Sequence, residues 1–87
     1  TLRLRRGGRW QALDLPPTDD RLLLALLAEQ PRVASREALR AAVWGDEAVA
    51  LRTVDQYVRR LRSSLHEVGA RELVGTVAGF GYRVGLD

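Results

Sequence analysis

Apolar positions along this 87-residue chain recur with two different periods. In residues 51–67, LRTVDQYVRRLRSSLHE, Val54, Val58, Leu61 and Leu65 follow the helical period. At about 100° per residue these four fall within an arc of roughly 60°. The opposite pole carries Arg52, Gln56, Arg59, Arg60 and Ser63, with Tyr57 and Arg62 on the flanks and Asp55 as the only interior acid. The spacing predicts a helix over 52–66, roughly 22 Å long. One narrow stripe of it can bury while the other side stays cationic, which suits a rod laid across a groove about 12 Å wide, the major groove of DNA. A surface helix that is merely solvated fits the same pattern.

The remaining elements follow in chain order. Residues 1–6 alternate, with Leu2 and Leu4 apolar and Arg3 and Arg5 polar; Gly7-Gly8 then marks a turn. A less regular run containing Trp10 and Ala12 completes an expected hairpin, strands 2–6 and 9–15. Such a hairpin is barely stable alone and is expected to pack on the following helix. Pro16-Pro17 stops the strand. Thr18 is the expected N-cap of a first helix over 18–29, with Asp19 and Asp20 in its first turn, where the helix dipole favours acids. The run Leu22–Ala28 is apolar nearly all round, as in a buried central helix, and Pro31 lies just beyond its end. Val33 is expected in a short strand or bridge. Ser35 caps a second helix over 36–44, with Ala38, Leu39, Ala42 and Val43 as its apolar positions and Gly45 as C-cap. Two helices joined by the short connection 45–51, the second of them basic, form a helix-turn-helix arrangement. Finally 73–77 and 82–84 read as strands around a glycine-rich turn, Ala78-Gly79-Phe80-Gly81.

Composition narrows the field. Hydrophobic residues make up 46% and charged residues 29%, a globular balance, and the length predicts a single domain over 1–87. The first residue is Thr rather than Met, so the chain reads as a piece of a longer protein. There is no Cys, which removes disulfides and thiolate chemistry, and with a single His a structural zinc site is not expected. No run approaches the roughly 18 apolar residues of a membrane span, so a cytoplasmic location and no membrane partner are expected. All 14 basic residues are Arg, and the net charge of +3 favours an acidic partner weakly. Codon bias in a GC-rich genome accounts for the missing Lys better than chemistry does. Nothing assembles a catalytic constellation: Asp19 and Asp20 belong to a helix start, and no nucleophile motif or phosphate loop is present. No enzyme activity and no cofactor are expected of this segment. His66 ends the third helix, where a cation suits the dipole.

The order sheet, three helices, hairpin is that of an α+β winged helix. Three motifs then point to one family. Val33-Ala34-Ser35-Arg36-Glu37-Ala38-Leu39 with Val43-Trp44-Gly45 resembles the second-helix signature of the OmpR/PhoB-type effector domain. Arg52-Thr53-Val54-Asp55 with Val58-Arg59-Arg60-Leu61-Arg62 and Leu65 resembles its recognition helix. Thr76-Val77, Gly79 and Gly81-Tyr82-Arg83 resemble its wing, here expected over 73–86. The resemblance implies the DNA-binding end of a bacterial transcription regulator, often a two-component response regulator. It also implies an RNA polymerase contact through the loop 45–51, and dimers on tandem half-sites about one helical turn apart. The family's four-stranded N-terminal sheet is reduced here to about two strands. Ala78 stands where the family's wing often has Arg, and Ser63-Ser64 replace the usual basic end of the recognition helix, which implies fewer phosphate contacts.

On this basis double-stranded DNA is the expected partner. Arg60 is expected to fork onto guanine O6 and N7, Gln56 to read adenine, and Thr53 to touch a thymine methyl or a phosphate. Arg52, Arg59 and Arg62 are expected on phosphates, joined by the Tyr57 hydroxyl, the Trp44 indole N–H and Arg83 on the wing. Tyr57 packed half-buried, and Trp44 as an anchor at the core edge, are the structural alternatives. The competing function is a winged helix used for protein contacts, dimerisation or polymerase recruitment, or one appended to an enzyme domain.

Overall fold

The computed structural model describes residues 2–85; residues 1, 86 and 87 and the side chains of Leu2, Leu4 and Arg6 lie outside the described residues, and with them the last expected wing position. The elements are β1 (Leu2–Arg6), β2 (Arg9–Leu13), α1 (Pro17–Glu29), α2 (Arg36–Trp44), α3 (Leu51–Glu67), a 3-10 turn (Arg71–Leu73), β3 (Val74–Val77) and β4 (Gly81–Val84). β1 pairs with β2 and β3 with β4, both antiparallel, as two separate two-stranded ribbons. The architecture is the winged helix-turn-helix expected from the sequence.

Helix α1 begins earlier than expected. Pro16 is its N-cap and Pro17 its first residue, and no side chain caps it, so Thr18 lies inside the first turn. Proline's fixed φ preorganises that position and its missing N–H goes unneeded there. β2 stops at Leu13 rather than 15, where its register meets Leu2 at the start of β1. α1 is not apolar all round in effect. Leu22, Leu23 and Leu26 are buried, while Leu24 is 46% exposed on the far side. α2 is capped as expected: the Ser35 hydroxyl accepts from the Ala38 amide at 3.0 Å, and Gly45 ends it at φ 59.

The core joins all three helices and the wing. It holds Leu22, Leu23 and Leu26 of α1, Leu39 and Val43 of α2, Val54, Val58, Leu61 and Leu65 of α3, and Val74, Tyr82 and Val84 of the second ribbon. Each fully buried aliphatic side chain contributes about 1.5–3 kcal/mol relative to exposure. The first ribbon is docked differently. Within β2 only Leu13 is buried, and Trp10 stays 65% exposed with Arg5 6.0 Å from its ring. The register pairs Arg5 with Trp10 and Leu2 with Leu13, so the ribbon is anchored through its open end rather than laid flat on α1.

Candidate nucleic-acid interface

α3 has the orientation its apolar stripe demands. Val54, Val58, Leu61 and Leu65 are wholly buried, which turns Arg52, Gln56, Arg59, Arg60 and Ser63 outward, and all five are exposed. At 17 residues it is about 25 Å long. Its N-terminus has no side-chain cap and no acid in the first turn. The positive dipole end therefore sits beside Arg52 and Thr53, whose own amide donates to the Ala50 carbonyl at 3.0 Å, and that end favours an anion.

Three polar linkages fix how this face is presented. Asp55, one quarter-turn from the buried stripe, accepts Nε and Nη2 of Arg36 at 3.2 and 2.8 Å and the Tyr82 hydroxyl at 2.7 Å. One carboxylate thus ties α3 to the start of α2 and to β4. Burial, reinforced by the bond to the Asp55 carboxylate, pushes the Tyr82 phenol above its ordinary range. Arg62 forms the second linkage: its Nε donates to the Val74 carbonyl at 3.0 Å, Nη2 donates to Thr76 Oγ1, and its guanidinium lies 5.5 Å from the Tyr82 ring. The third is backbone only: Ala34 and Tyr82 exchange N–H···O bonds of 2.7 and 3.0 Å, clamping the wing to the entry of α2. Val33 stands one residue outside that bridge and is 37% exposed.

Asp55→Ala removes three hydrogen bonds and leaves the Arg36 charge and the Tyr82 hydroxyl without their acceptor. The ion pair is more than a third exposed, so most of the loss falls on the tyrosine bond. About 1–2 kcal/mol of stability should disappear in urea unfolding. An unchanged midpoint would remove the network from the account.

The remaining expected site residues fall into two groups. Gln56, Arg52 and Arg59 project freely from α3, and Arg83 is exposed on β4 opposite Gly75. Trp44, Tyr57 and Arg60 form a stack instead. The rings of Trp44 and Tyr57 meet edge to face, 5.2 Å apart at 69°, and the Arg60 guanidinium lies 4.8 Å from the Tyr57 ring. Trp44 and Tyr57 are half-buried, and this packing joins the end of α2 to α3. The Arg62 guanidinium is turned onto the wing. Arg36, Thr76 and Tyr82 enter the sequence reading only as members of the family motifs, with no site role of their own. The signal for them was Asp55 itself, an acid in an otherwise basic helix, which implies a partner from elsewhere in the chain. Phe80 was also missed as a surface group. It is 73% exposed at the wing tip, on a turn closed by its own N–H to the Val77 carbonyl at 2.9 Å.

A basic helix packed on a helical pair, with a β-ribbon clamped beside it, defines the class: a winged helix-turn-helix domain of the DNA-binding type. The chain belongs to the family described as "Transcriptional regulatory protein, C terminal", which matches residues 10–84. It is similar to the phosphate regulon transcriptional regulatory protein PhoB of Klebsiella pneumoniae, 46% identical over 82% of this chain and 31% of that protein. PhoB of Escherichia coli K12 is 43% identical over 84% of this chain and 32% of its own length. The chain therefore spans about a third of the curated relatives it matches. Among solved structures it superposes on the DNA-binding domain of the response regulator AdeR, in a complex with an intercistronic region, with TM-score 0.80. That pair shares 26% identity over 92% of this chain and 81% of the other. The family is one of transcription regulators rather than of enzymes. Among the described residues no helix is long and apolar enough to cross a membrane.

Proposed function

We propose that this domain binds double-stranded DNA sequence-specifically, with α3 in the major groove and the β3–β4 wing beside the sugar-phosphate backbone. The observation that carries the reading is the outward face of α3. Its four-residue buried stripe leaves Arg52, Gln56, Arg59 and Arg60 exposed together on one side. Arg60 and Gln56 are the base readers, since a guanidinium forks onto guanine and a carboxamide onto adenine. Thr53, at the open helix start, takes a thymine methyl or a phosphate. Arg52, Arg59 and Arg83 take phosphates, with Tyr57 and Trp44 at the rim. Arg62 acts chiefly by holding the wing against α3, because two of its donor nitrogens are already used there.

The domain is proposed as the DNA-reading end of a longer cytoplasmic regulator of the response-regulator kind. Dimers on tandem half-sites suit that role, and the exposed loop with Asp46 and Glu47 is the surface proposed for RNA polymerase.

Salt titration tests the reading. The log–log slope of affinity against salt should be about −0.9 per phosphate contacted, and Arg59→Ala should make it shallower by about one such unit while weakening all duplexes alike. A slope near zero would favour the protein-contact alternative.

A further inference from the structure

Side chains on an α-helix lean toward its N-terminus, so each lies over the turn before it. On α3 this sets Arg59 over Asp55 and Gln56, and Arg60 over Gln56 and Tyr57. The two arginines are adjacent in sequence and both are exposed, yet they meet different surroundings. The Asp55 carboxylate is already held by Arg36 and the Tyr82 hydroxyl. Arg59 has no partner among the described residues. The Arg60 guanidinium carbon lies 4.8 Å from the centre of the Tyr57 ring.

That ring is itself held. Tyr57 is half-buried and packs against the core, and the edge-to-face contact with Trp44 at 5.2 Å and 69° fixes it from the side of α2. Trp44 is the last residue of α2 and also packs on the core. Support therefore runs from the core through Trp44 and Tyr57 to an exposed cation. An exposed arginine samples many rotamers, and one held beforehand loses less freedom on binding. The kind of hold matters as much. A carboxylate or carbonyl would use up the nitrogen donors, as the Val74 carbonyl and Thr76 use those of Arg62. A ring attracts the charge through its face and takes no N–H. A guanine edge needs two donors side by side in one plane, whereas a phosphate accepts a cation from many directions. A guanidinium that is held with its donors unspent suits the first task, and an unheld one suits the second.

We infer that Tyr57 is a positioning residue for base reading: its ring, fixed by Trp44, holds the Arg60 guanidinium in place for a guanine edge. The inference rests on the major-groove reading proposed above. It gives the ring a task separate from any phosphate contact of the hydroxyl.

The test uses a pool of short duplexes with a randomised centre. Wild-type protein selects a consensus, and binding is then measured to that duplex and to versions with each base pair replaced. If wild-type protein enriches nothing, the DNA-reading proposal fails and this inference goes with it. If it does enrich, Tyr57→Leu should flatten the preference at the one base pair that Arg60→Ala also flattens, by about threefold to fivefold. Preference elsewhere should be intact, and Y57L should add nothing further at that position in the Arg60→Ala background. Tyr57→Phe, which keeps the ring and removes the hydroxyl, should keep the preference. A second readout needs no DNA. In proton NMR of the free domain the Arg60 side-chain resonances should carry the ring's upfield shift in wild type and in Y57F, and lose it in Y57L. Should Y57L fail to fold, Tyr57→Met, which fills the space without a ring, is read in the same way. Selection by wild-type protein with an unaltered Y57L profile would overturn the inference alone. So would a uniform loss across all duplexes shared by Y57L and Y57F, which would make the hydroxyl a phosphate contact and leave the ring no part in reading.

Discussion

Gly81→Ala should unseat the wing. Gly81 has φ 151, outside the range that side chains ordinarily tolerate, and a Cβ there would lie 2.0 Å from the Ala34 carbonyl oxygen. That oxygen accepts the Tyr82 amide at 3.0 Å, so it cannot retreat without giving up the clamp that holds β4 to the start of α2. Backbone strain of about 1–3 kcal/mol adds to a similar overpacking cost. A loss of roughly 3 kcal/mol or more is a large share of the stability of so small a domain. Urea unfolding should show a sharply lower midpoint. Should part of the protein remain folded, the wing detaches from α2, and the Tyr82–Asp55 bond goes with it. The fluorescence of Trp44, next to α3 rather than the wing, then reports whether the helical body survives. A midpoint within error of wild type would show that the wing is not clamped in this way. Gly79, also at positive φ, has nothing within 4 Å of a built Cβ, so Gly79→Ala should cost only the strain and serves as the control.

Arg60→Ala should cost about 1–3 kcal/mol of binding to the preferred duplex and flatten discrimination at one base-pair position. The side chain is exposed and makes no hydrogen bond among the described residues, so stability should change little. What disappears is a pair of parallel donors held over Tyr57. The paired measurement is Arg60→Lys. It keeps the charge but not the fork, and should recover affinity for all duplexes in part without recovering the preference. If Arg60→Ala weakened every duplex equally, Arg60 would be a phosphate contact and base reading would have to rest on Gln56.

The alkaline limb of stability follows from Tyr82. Its phenol titrates above its ordinary value near 10 in the folded chain, so the folded state holds that proton more tightly than the unfolded state. The stabilisation is complete below the unfolded value and is lost as pH rises through the folded one.

The periodicity of Val54, Val58, Leu61 and Leu65 was enough to place α3, its buried edge and its cationic face. Four side chains on one stripe admit a single rotational setting against a core. Ser35 and Gly45 likewise bounded α2, because capping chemistry is local. The wing ribbon was legible from its glycines and alternation for the same reason. The α1 start was less so, since a proline pair offered two start points and the hydroxyl of Thr18 suggested the later one. Local sequence carries such information because each feature depends on residues within a turn or two of one another.

What the tertiary structure decided is how outward-pointing groups divide their labour. By spacing alone Arg59, Arg60 and Arg62 are three similar cations on one helix. Only packing shows that Arg59 is exposed and without a partner among the described residues, Arg60 is stacked on Tyr57, and Arg62 is spent on the Val74 carbonyl and Thr76. The partners of Asp55 lie 19 and 27 residues away, and Asp19 is buried in a fold where α1 packs on α2, α3 and β4. Such contacts are set by how elements cross. A periodicity records which face is buried, and it holds nothing about what the neighbouring element will bring to that face.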